Sequence, residues 1–170
     1  MLVTVTGSDI SRIASSLDLS AKEIVKALDF YIIASDEEIP EGLRNIPQVK
    51  TERGPAFVAI KKSENGDCVF LNEDLCMIHP IRPAACVSFP FFFNKGTDGM
   101  SWGLSALKEI CPGIGVGSFV TESYLRETGL LVLENLEIYR QFAQEWNDEI
   151  ETPTAIEFLR RVLSERKFNV

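Results

Sequence analysis

All four cysteines of this 170-residue chain lie in one stretch, residues 65–117. They are Cys68, Cys76, Cys86 and Cys111. Turn-forming residues such as Gly66, Pro83 and Pro112 lie close to them, and the backbone at turns can direct side chains inward from several directions. Four thiols that converge on one point would form a metal site. The rest of the chain is therefore expected to serve as the scaffold for this stretch.

The spacing of the cysteines matches none of the common metal-binding patterns. Seven residues separate Cys68 from Cys76, nine separate Cys76 from Cys86, and 24 separate Cys86 from Cys111. Common zinc modules and ferredoxins use shorter, characteristic spacings. Four thiolates can bind zinc, iron or an iron–sulfur cluster, because soft sulfur ligands suit all three. We interpret the four cysteines as metal ligands, with zinc as the expected cofactor and iron or an iron–sulfur cluster as the alternative.

Composition limits the partners of the protein. A formal net charge of −8 and an isoelectric point near 4.8 argue against nucleic acid or an anionic membrane as the main partner, because both require a basic surface. No apolar run approaches the roughly 18 residues that span a bilayer, and residues 1–5 lack the features of a signal peptide. We therefore expect a cytoplasmic protein whose partner is a metal ion, with a protein partner as an open alternative.

The reducing environment of the cytoplasm bears on the cysteines. There, cysteines are more often metal ligands, catalytic or simply buried than disulfide-bonded, although intracellular proteins of hyperthermophiles are an exception. A structural or interaction protein with idle or disulfide-bonded cysteines is therefore a second alternative.

Two further residues of the stretch bear on its chemistry. His79 is the only histidine, which removes most hydrolase mechanisms that depend on a histidine base. It lies three residues after Cys76, but the adjacent Pro80 favours a turn position over a metal ligand. Arg82 is expected to support the ligands, because a guanidinium can donate hydrogen bonds to sulfur and offset the charge of a thiolate site. A surface salt bridge is the alternative for Arg82.

Local patterns predict helices at the N-terminus. Ser8 is expected to cap a first helix, whose apolar residues recur at helical spacing. Ser20 and Glu23 have the spacing of a capping box, so a second helix is expected to run from there to about Ala34.

The first part of the cysteine-bearing stretch is predicted to form a β-hairpin. Short β-favouring runs at 57–62 and 68–71 flank residues 63–67, which contain the strong hairpin signal Asn-Gly. Cys68 would then begin the second strand, next to the turn.

Residues 83–100 are predicted to form a short helix followed by a loop. Pro83 suits the first turn of a helix that carries Cys86. The phenylalanines that follow either shield the thiolates from water or simply pack in the core: Phe89, Phe91, Phe92 and Phe93. Residues 94–100 are polar and are expected to be a loop.

After residue 119 the apolar residues recur at helical spacing to the end of the chain. Gly129 is a possible break, and Thr152 followed by Pro153 predicts the start of a final helix. The predicted fold class is α+β and mainly helical, with a small β-hairpin and irregular cysteine-bearing loops enclosed by N- and C-terminal helices. One metal-binding domain is expected over residues 1–170, with the cysteine-bearing segment at 65–117 and a C-terminal helical region at 119–170.

The cysteine-bearing stretch closely resembles the YkgJ-type domains, the CxxCxxCC family of zinc- or iron-chelating domains. The resemblance rests on NGDCVFL at 65–71, CMIHPIRPAAC at 76–86, FPF at 89–91 and CPGIG at 111–115. The opening TGSDISRIA at 6–14 is also similar to the segment that follows the family's signature, so the resemblance covers roughly residues 4–117. It implies a cytosolic metal-binding domain, often described as an iron–sulfur oxidoreductase. A flagellin lysine methylase carries a similar motif, which implies a protein-modifying enzyme as a further alternative.

The sequence departs from the family pattern at its start. The cysteine-rich signature of the family would precede Thr6, where this sequence has residues 1–5 and no cysteine. We expect either a natural short form with one four-cysteine site, or a longer gene product or partner chain that supplies further cysteines.

Overall fold

The structure is a computed structural model that describes residues 2–34, 36–97 and 99–168. Within these residues it has an α+β fold, as predicted, with five α-helices and three small antiparallel sheets. The helices are α1 (Gly7–Ser16), α2 (Ala21–Ile24), α3 (Ala84–Ser88), α4 (Glu122–Glu149) and α5 (Ala155–Ser164). The strands are β1 (Leu28–Tyr31), β2 (Val49–Thr51), β3 (Gly54–Ile60), β4 (Leu71–Asn72), β5 (Leu75–Cys76), β6 (Phe91–Gly96) and β7 (Gly99–Leu104).

Threonine side chains cap the two helices whose starts were predicted at other residues. Thr6, not Ser8, caps α1, and its hydroxyl accepts a hydrogen bond from the Asp9 amide at 3.3 Å. Thr154, not Thr152, caps α5 by accepting from the backbone three residues later. In both helices an acidic residue follows the capping threonine by three positions, which is the spacing of a capping box. Each helix start was therefore predicted two residues too late or too early, within the usual uncertainty of helix ends.

The second helix is much shorter than predicted. The capping box is present, because the Glu23 carboxylate accepts from the Ser20 amide at 2.8 Å. The prediction that the helix continues to Ala34 was wrong, since α2 spans four residues and a 3₁₀ turn leads into β1. Leu28 and Phe30 are buried while the residues after each are exposed, which is the alternation of a strand. Pairing with β3 satisfies the backbone of β1 and overrides the helical pattern.

The central sheet has the order β1-β3-β2 and is antiparallel. The predicted hairpin partner of β3, residues 68–71, forms no strand beside it. Lys62 and Cys68 make an isolated bridge, and the Val69 amide donates to the carbonyl of Lys61 at 3.0 Å. The predicted turn is present, and the Ser63 amide donates to the carbonyl of Asp67 at 2.9 Å. The burial of five consecutive residues makes β3 a central strand, whose edges are already occupied by β1 and β2.

The hydrophobic core lies between this sheet and the helices α1, α4 and α5. Its largest fully buried side chains are Tyr139, Phe57, Phe142, Phe158, Ile10, Ile13, Ile24, Leu159, Val5, Val49, Val58 and Val162. These residues come from the central sheet and from the helices near both ends of the chain. The cysteine-bearing segment 65–117 adds Phe70 and Ile78 to the same core.

The strands β6 and β7 form a hairpin where a loop was predicted at 94–100. β6 pairs with β7 from Phe91 opposite Leu104 to Gly96 opposite Gly99. Asp98, within the predicted loop, lies outside the described residues. Gly99 has a φ of +110°, a conformation that glycine adopts readily, so the tight turn is compatible with this sequence.

The helix α4 continues through Gly129, which was predicted as a possible break. A Cβ atom at this position would lie 2.4 Å from Sδ of Met100 and 2.5 Å from Cδ1 of Phe93. The glycine is therefore the place where the β6–β7 hairpin rests directly on α4.

Gly129→Leu is expected to lower the free energy of unfolding by about 2 kcal/mol, because the new side chain must displace the hairpin. Urea denaturation followed by circular dichroism measures this change. Gly42→Leu is the matched control, since a Cβ at Gly42 meets no atom within 4 Å, and its effect should stay within about 0.5 kcal/mol. Equal stability of the two variants would contradict the close contact between the hairpin and α4.

Candidate metal centre

Short elements of different type carry three of the four cysteines. Cys68 follows the turn at 63–67 and forms the bridge with Lys62. Cys76 ends β5, and Cys86 lies within α3, the short helix predicted to carry it. All three side chains are half-buried.

The β4–β5 hairpin folds the backbone back between Cys68 and Cys76. Its turn residues, Glu73 and Asp74, have φ angles of 47° and 65°. Primed hairpin turns require this left-handed conformation. The register places Leu71 opposite Cys76. Because the turn lacks the usual Asn-Gly signal, the sequence alone did not predict it.

Three thiols share one electrostatic neighbourhood. Burial is the main cause that raises the pKa of Cys86 from 9.0 to about 11. The negative charges of Cys68 and Cys76 contribute next, which places both thiols within electrostatic range of Cys86. A smaller contribution comes from Asp9, and the guanidinium of Arg82 acts in the opposite direction.

Cys111 is not among the groups that shift the pKa of Cys86. It lies between β7 and α4, where its amide donates to the carbonyl of Leu107 at 2.9 Å in an isolated turn. Leu107 and Ile110 beside it are exposed. All four cysteines are free thiols. Within the described parts of the chain, no three His, Cys, Asp or Glu side chains lie close enough together to hold a metal ion.

The donor set nevertheless fits a metal that prefers sulfur. Cys68 and Cys76 pack against the hydrophobic core, so the thiols face a partly apolar environment. Zinc and iron both bind thiolates in such surroundings. Coordination would require the thiols to lose their protons and to move closer together. Among the candidate ligands, Cys68 and Cys76 are the ones whose thiols the fold brings within electrostatic range of Cys86.

His79 and Arg82 contact each other beside this group. Nη1 of Arg82 lies 2.5 Å from Nε2 of His79. A guanidinium only donates hydrogen bonds, so the imidazole accepts at Nε2 and that nitrogen is not free to bind a metal. This geometry agrees with the interpretation of His79 as a turn residue. The positive charge of Arg82 is near enough to lower the pKa of Cys86.

Asp9 is a buried residue of this region that sequence reasoning did not single out. Its side chain is 1% exposed. Oδ2 accepts from the amide and the hydroxyl of Thr6, both at 2.9 Å. Oδ1 accepts from Nη2 of Arg12 at 2.7 Å and from the amide of Ala84 at 3.0 Å. Because Ala84 begins α3, Asp9 connects α1 to the helix that carries Cys86.

The phenylalanines after Cys86 pack mainly within the hairpin and against α4. Phe93 is buried next to Gly129, and Phe91 contacts Trp102 edge-on with ring centroids 5.7 Å apart. Phe92 is exposed. Of the two alternatives left open by the sequence, these contacts favour ordinary packing over shielding of the thiols.

The family model of the CxxCxxCC family, described as “Putative zinc- or iron-chelating domain”, matches residues 9–112. The chain belongs to this family. The matched region contains all four cysteines and the residues Asp9 and Arg12. Membership supports binding of zinc or iron. No curated protein and no solved structure matched the chain. None of the helices in the described residues is long and apolar enough to cross a membrane.

The raised pKa of Cys86 predicts slow alkylation of the metal-free protein near neutral pH. The rate with iodoacetamide should rise about tenfold per pH unit, because the thiolate is the reactive form, and level off only at a pH of about 11. Peptide mass spectrometry measures the rate at this site. A plateau near pH 9 would contradict the shift.

The same shift has a consequence for stability. The unfolded chain releases the Cys86 proton near its ordinary pKa of 9.0, whereas the folded chain keeps it up to about 11. The folded state therefore binds more protons in this interval, and the contribution of Cys86 to stability should decrease as pH rises from about 9 to 11.

Proposed function

We propose that this protein binds one zinc ion, or alternatively one iron ion, through the thiolates of Cys68, Cys76, Cys86 and Cys111. The observation that supports this function is the shared, half-buried neighbourhood of the first three thiols. Cys111 would complete the site from the exposed segment between β7 and α4. Four thiolates around zinc form a closed, structural type of site.

The bound ion would fix the cysteine-bearing elements relative to one another. The bridge at Cys68, the strand β5 and the helix α3 are all short and share few contacts with each other. A metal bond to each would replace the stability that they lack individually. Arg82 would offset the net negative charge of the thiolate site, in keeping with its position near Cys86. We place the protein in the cytoplasm and treat residues 1–170 as one domain.

Anaerobic purification followed by elemental analysis and a visible spectrum tests this function. A colourless protein with about one zinc per chain, or with one sulfide-free iron, supports it. A brown protein that contains iron and acid-labile sulfide supports instead an iron–sulfur enzyme. Absence of any metal, together with free or disulfide-bonded thiols, would contradict the function and favour a structural protein with idle cysteines.

Removal of the metal is expected to loosen residues 65–117 more than the terminal helices. The ligands lie on this segment, whereas α1, α4 and α5 bury their apolar faces in the hydrophobic core against the central sheet. Hydrogen exchange with and without a chelator measures the effect. Faster exchange is expected in β5 and α3, with little change in the buried part of α5. Unchanged exchange throughout the segment would count against a bound metal there.

A further inference from the structure

We propose that Asp9 and Arg12 form a clamp, called here the α1 clamp, that positions Cys86 for metal binding. The inference rests on the proposed function, because it concerns the arrangement of the same ligands. Asp9 and Arg12 do not act as ligands in it. They hold the backbone on both sides of Pro83, and the position of that backbone determines where Cys86 lies.

Arg12 holds the segment that precedes Pro83. Its Nη2 donates to the carbonyl oxygen of Arg82 at 3.0 Å, and its Nε lies 3.4 Å from the carbonyl oxygen of Ile81. Both carbonyls are at the end of the 3₁₀ turn His79–Ile81, where no further helical turn satisfies them. The planar guanidinium can bind both carbonyls and Asp9 at the same time, since its donors point in fixed directions.

Asp9 holds the segment that follows Pro83. The N-cap position of α3 is Pro83, whose side chain cannot accept a hydrogen bond. Asp9, which lies on α1, caps α3 instead: its Oδ1 accepts a hydrogen bond from the Ala84 amide at 3.0 Å. The carboxylate therefore caps a helix 75 residues away in sequence.

The position of Cys86 depends on this connection because α3 has only five residues. A helix of this length is unstable by itself. α3 also packs against α4, and the α1 clamp holds its N-terminal end at Ala84. The clamp transmits the rigidity of the core, since Ile10 and Ile13 beside it on α1 are fully buried.

The charge arrangement fits a positioning role better than a purely stabilising one. Asp9 is buried, and its charge is paired with Arg12, whose side chain is 36% exposed. Buried ion pairs add little net stability compared with apolar packing, and their best supported use is to fix one arrangement of the chain. Here the arrangement that is fixed is the path of residues 81–84.

Cobalt titration of Arg12→Met tests the inference. The variant should bind cobalt about 10- to 100-fold more weakly and give an altered thiolate-to-cobalt charge-transfer band. Arg12→Lys keeps the charge beside Asp9 and so protects the fold, but its single ammonium cannot hold both carbonyls; it should also bind more weakly. Arg161→Met is the control, because Arg161 lies on α5 and pairs with Glu165 there. It should bind cobalt like the unchanged protein.

A second readout does not need metal. In the metal-free protein, Cys86 of Arg12→Met and Arg12→Lys should react with iodoacetamide several-fold faster than in the unchanged protein, while Cys111 keeps its rate. If the wild-type protein binds cobalt and both variants bind it with the same affinity and spectrum, the α1 clamp is wrong. If the wild-type protein binds neither zinc nor cobalt, the proposed function is wrong. In that case the alkylation rates test the clamp, and equal Cys86 rates in the wild-type protein and the variants overturn it.

Discussion

Replacement of Cys86 by serine is expected to weaken zinc binding about 100-fold, because structural zinc sites are worth on the order of 12 kcal/mol and each of four thiolates then accounts for roughly 3 kcal/mol. The thiol of Cys86 is within electrostatic range of two of the other cysteines, Cys68 and Cys76. Competition with a zinc chelator of known affinity measures the loss. Circular dichroism shows whether the variant remains folded.

Cys111→Ser is the informative comparison. Cys111 lies beside the exposed Leu107 and Ile110 and is not among the groups that act on Cys86, so its segment would have to move to reach the metal and part of its bond energy would be lost. We expect this variant to weaken zinc binding by only about tenfold. Wild-type affinity of Cys86→Ser would remove Cys86 from the ligand set. Wild-type affinity of Cys111→Ser would reduce the site to three thiolates.

Phe158→Ala is expected to lower the free energy of unfolding by about 4 kcal/mol, since it leaves a large cavity in the core. Phe158 is fully buried on α5. Its ring contacts Phe30 and Trp146 edge-on, with centroid distances of 6.1 Å and 5.5 Å, and is tilted against Phe142 at 5.8 Å. The midpoint of thermal unfolding should fall by about 10 °C in a chain of this length.

Phe119→Ala provides the control for the same substitution. The side chain of Phe119 is fully exposed, so its removal should change the free energy of unfolding by no more than about 0.5 kcal/mol. Calorimetry or urea denaturation of both variants measures the difference. A loss at Phe158 similar to that at Phe119 would show that the aromatic cluster does not form the core in solution.

The two experiments address different parts of the molecule for a physical reason. The core joins residues from both ends of the chain and buries large apolar side chains, whereas the cysteine-bearing elements are short and half-buried. We therefore expect the core substitution to affect global unfolding and the cysteine substitutions to affect metal binding and local order.

Features that depend on neighbours a few residues apart could be predicted from the sequence. The capping box at Ser20 and Glu23, the turn at 63–67 and the short helix with Cys86 are all present. The family was also identified from short motifs around the cysteines. Each of these features depends on residues that are close together in the chain, so it can be predicted from the sequence without the fold.

Features that depend on partners far apart in the chain could be assigned only from the fold. Residues 28–31 were predicted to continue the second helix, but they form a strand, because pairing with β3 satisfies their backbone groups and buries Leu28 and Phe30. The hydrogen bond from Ala84 to Asp9 joins residues 75 positions apart, and no local pattern encodes it. The grouping of Cys86 with two other thiols likewise depends on how three short elements pack, because side-chain proximity is set by the path of the whole chain.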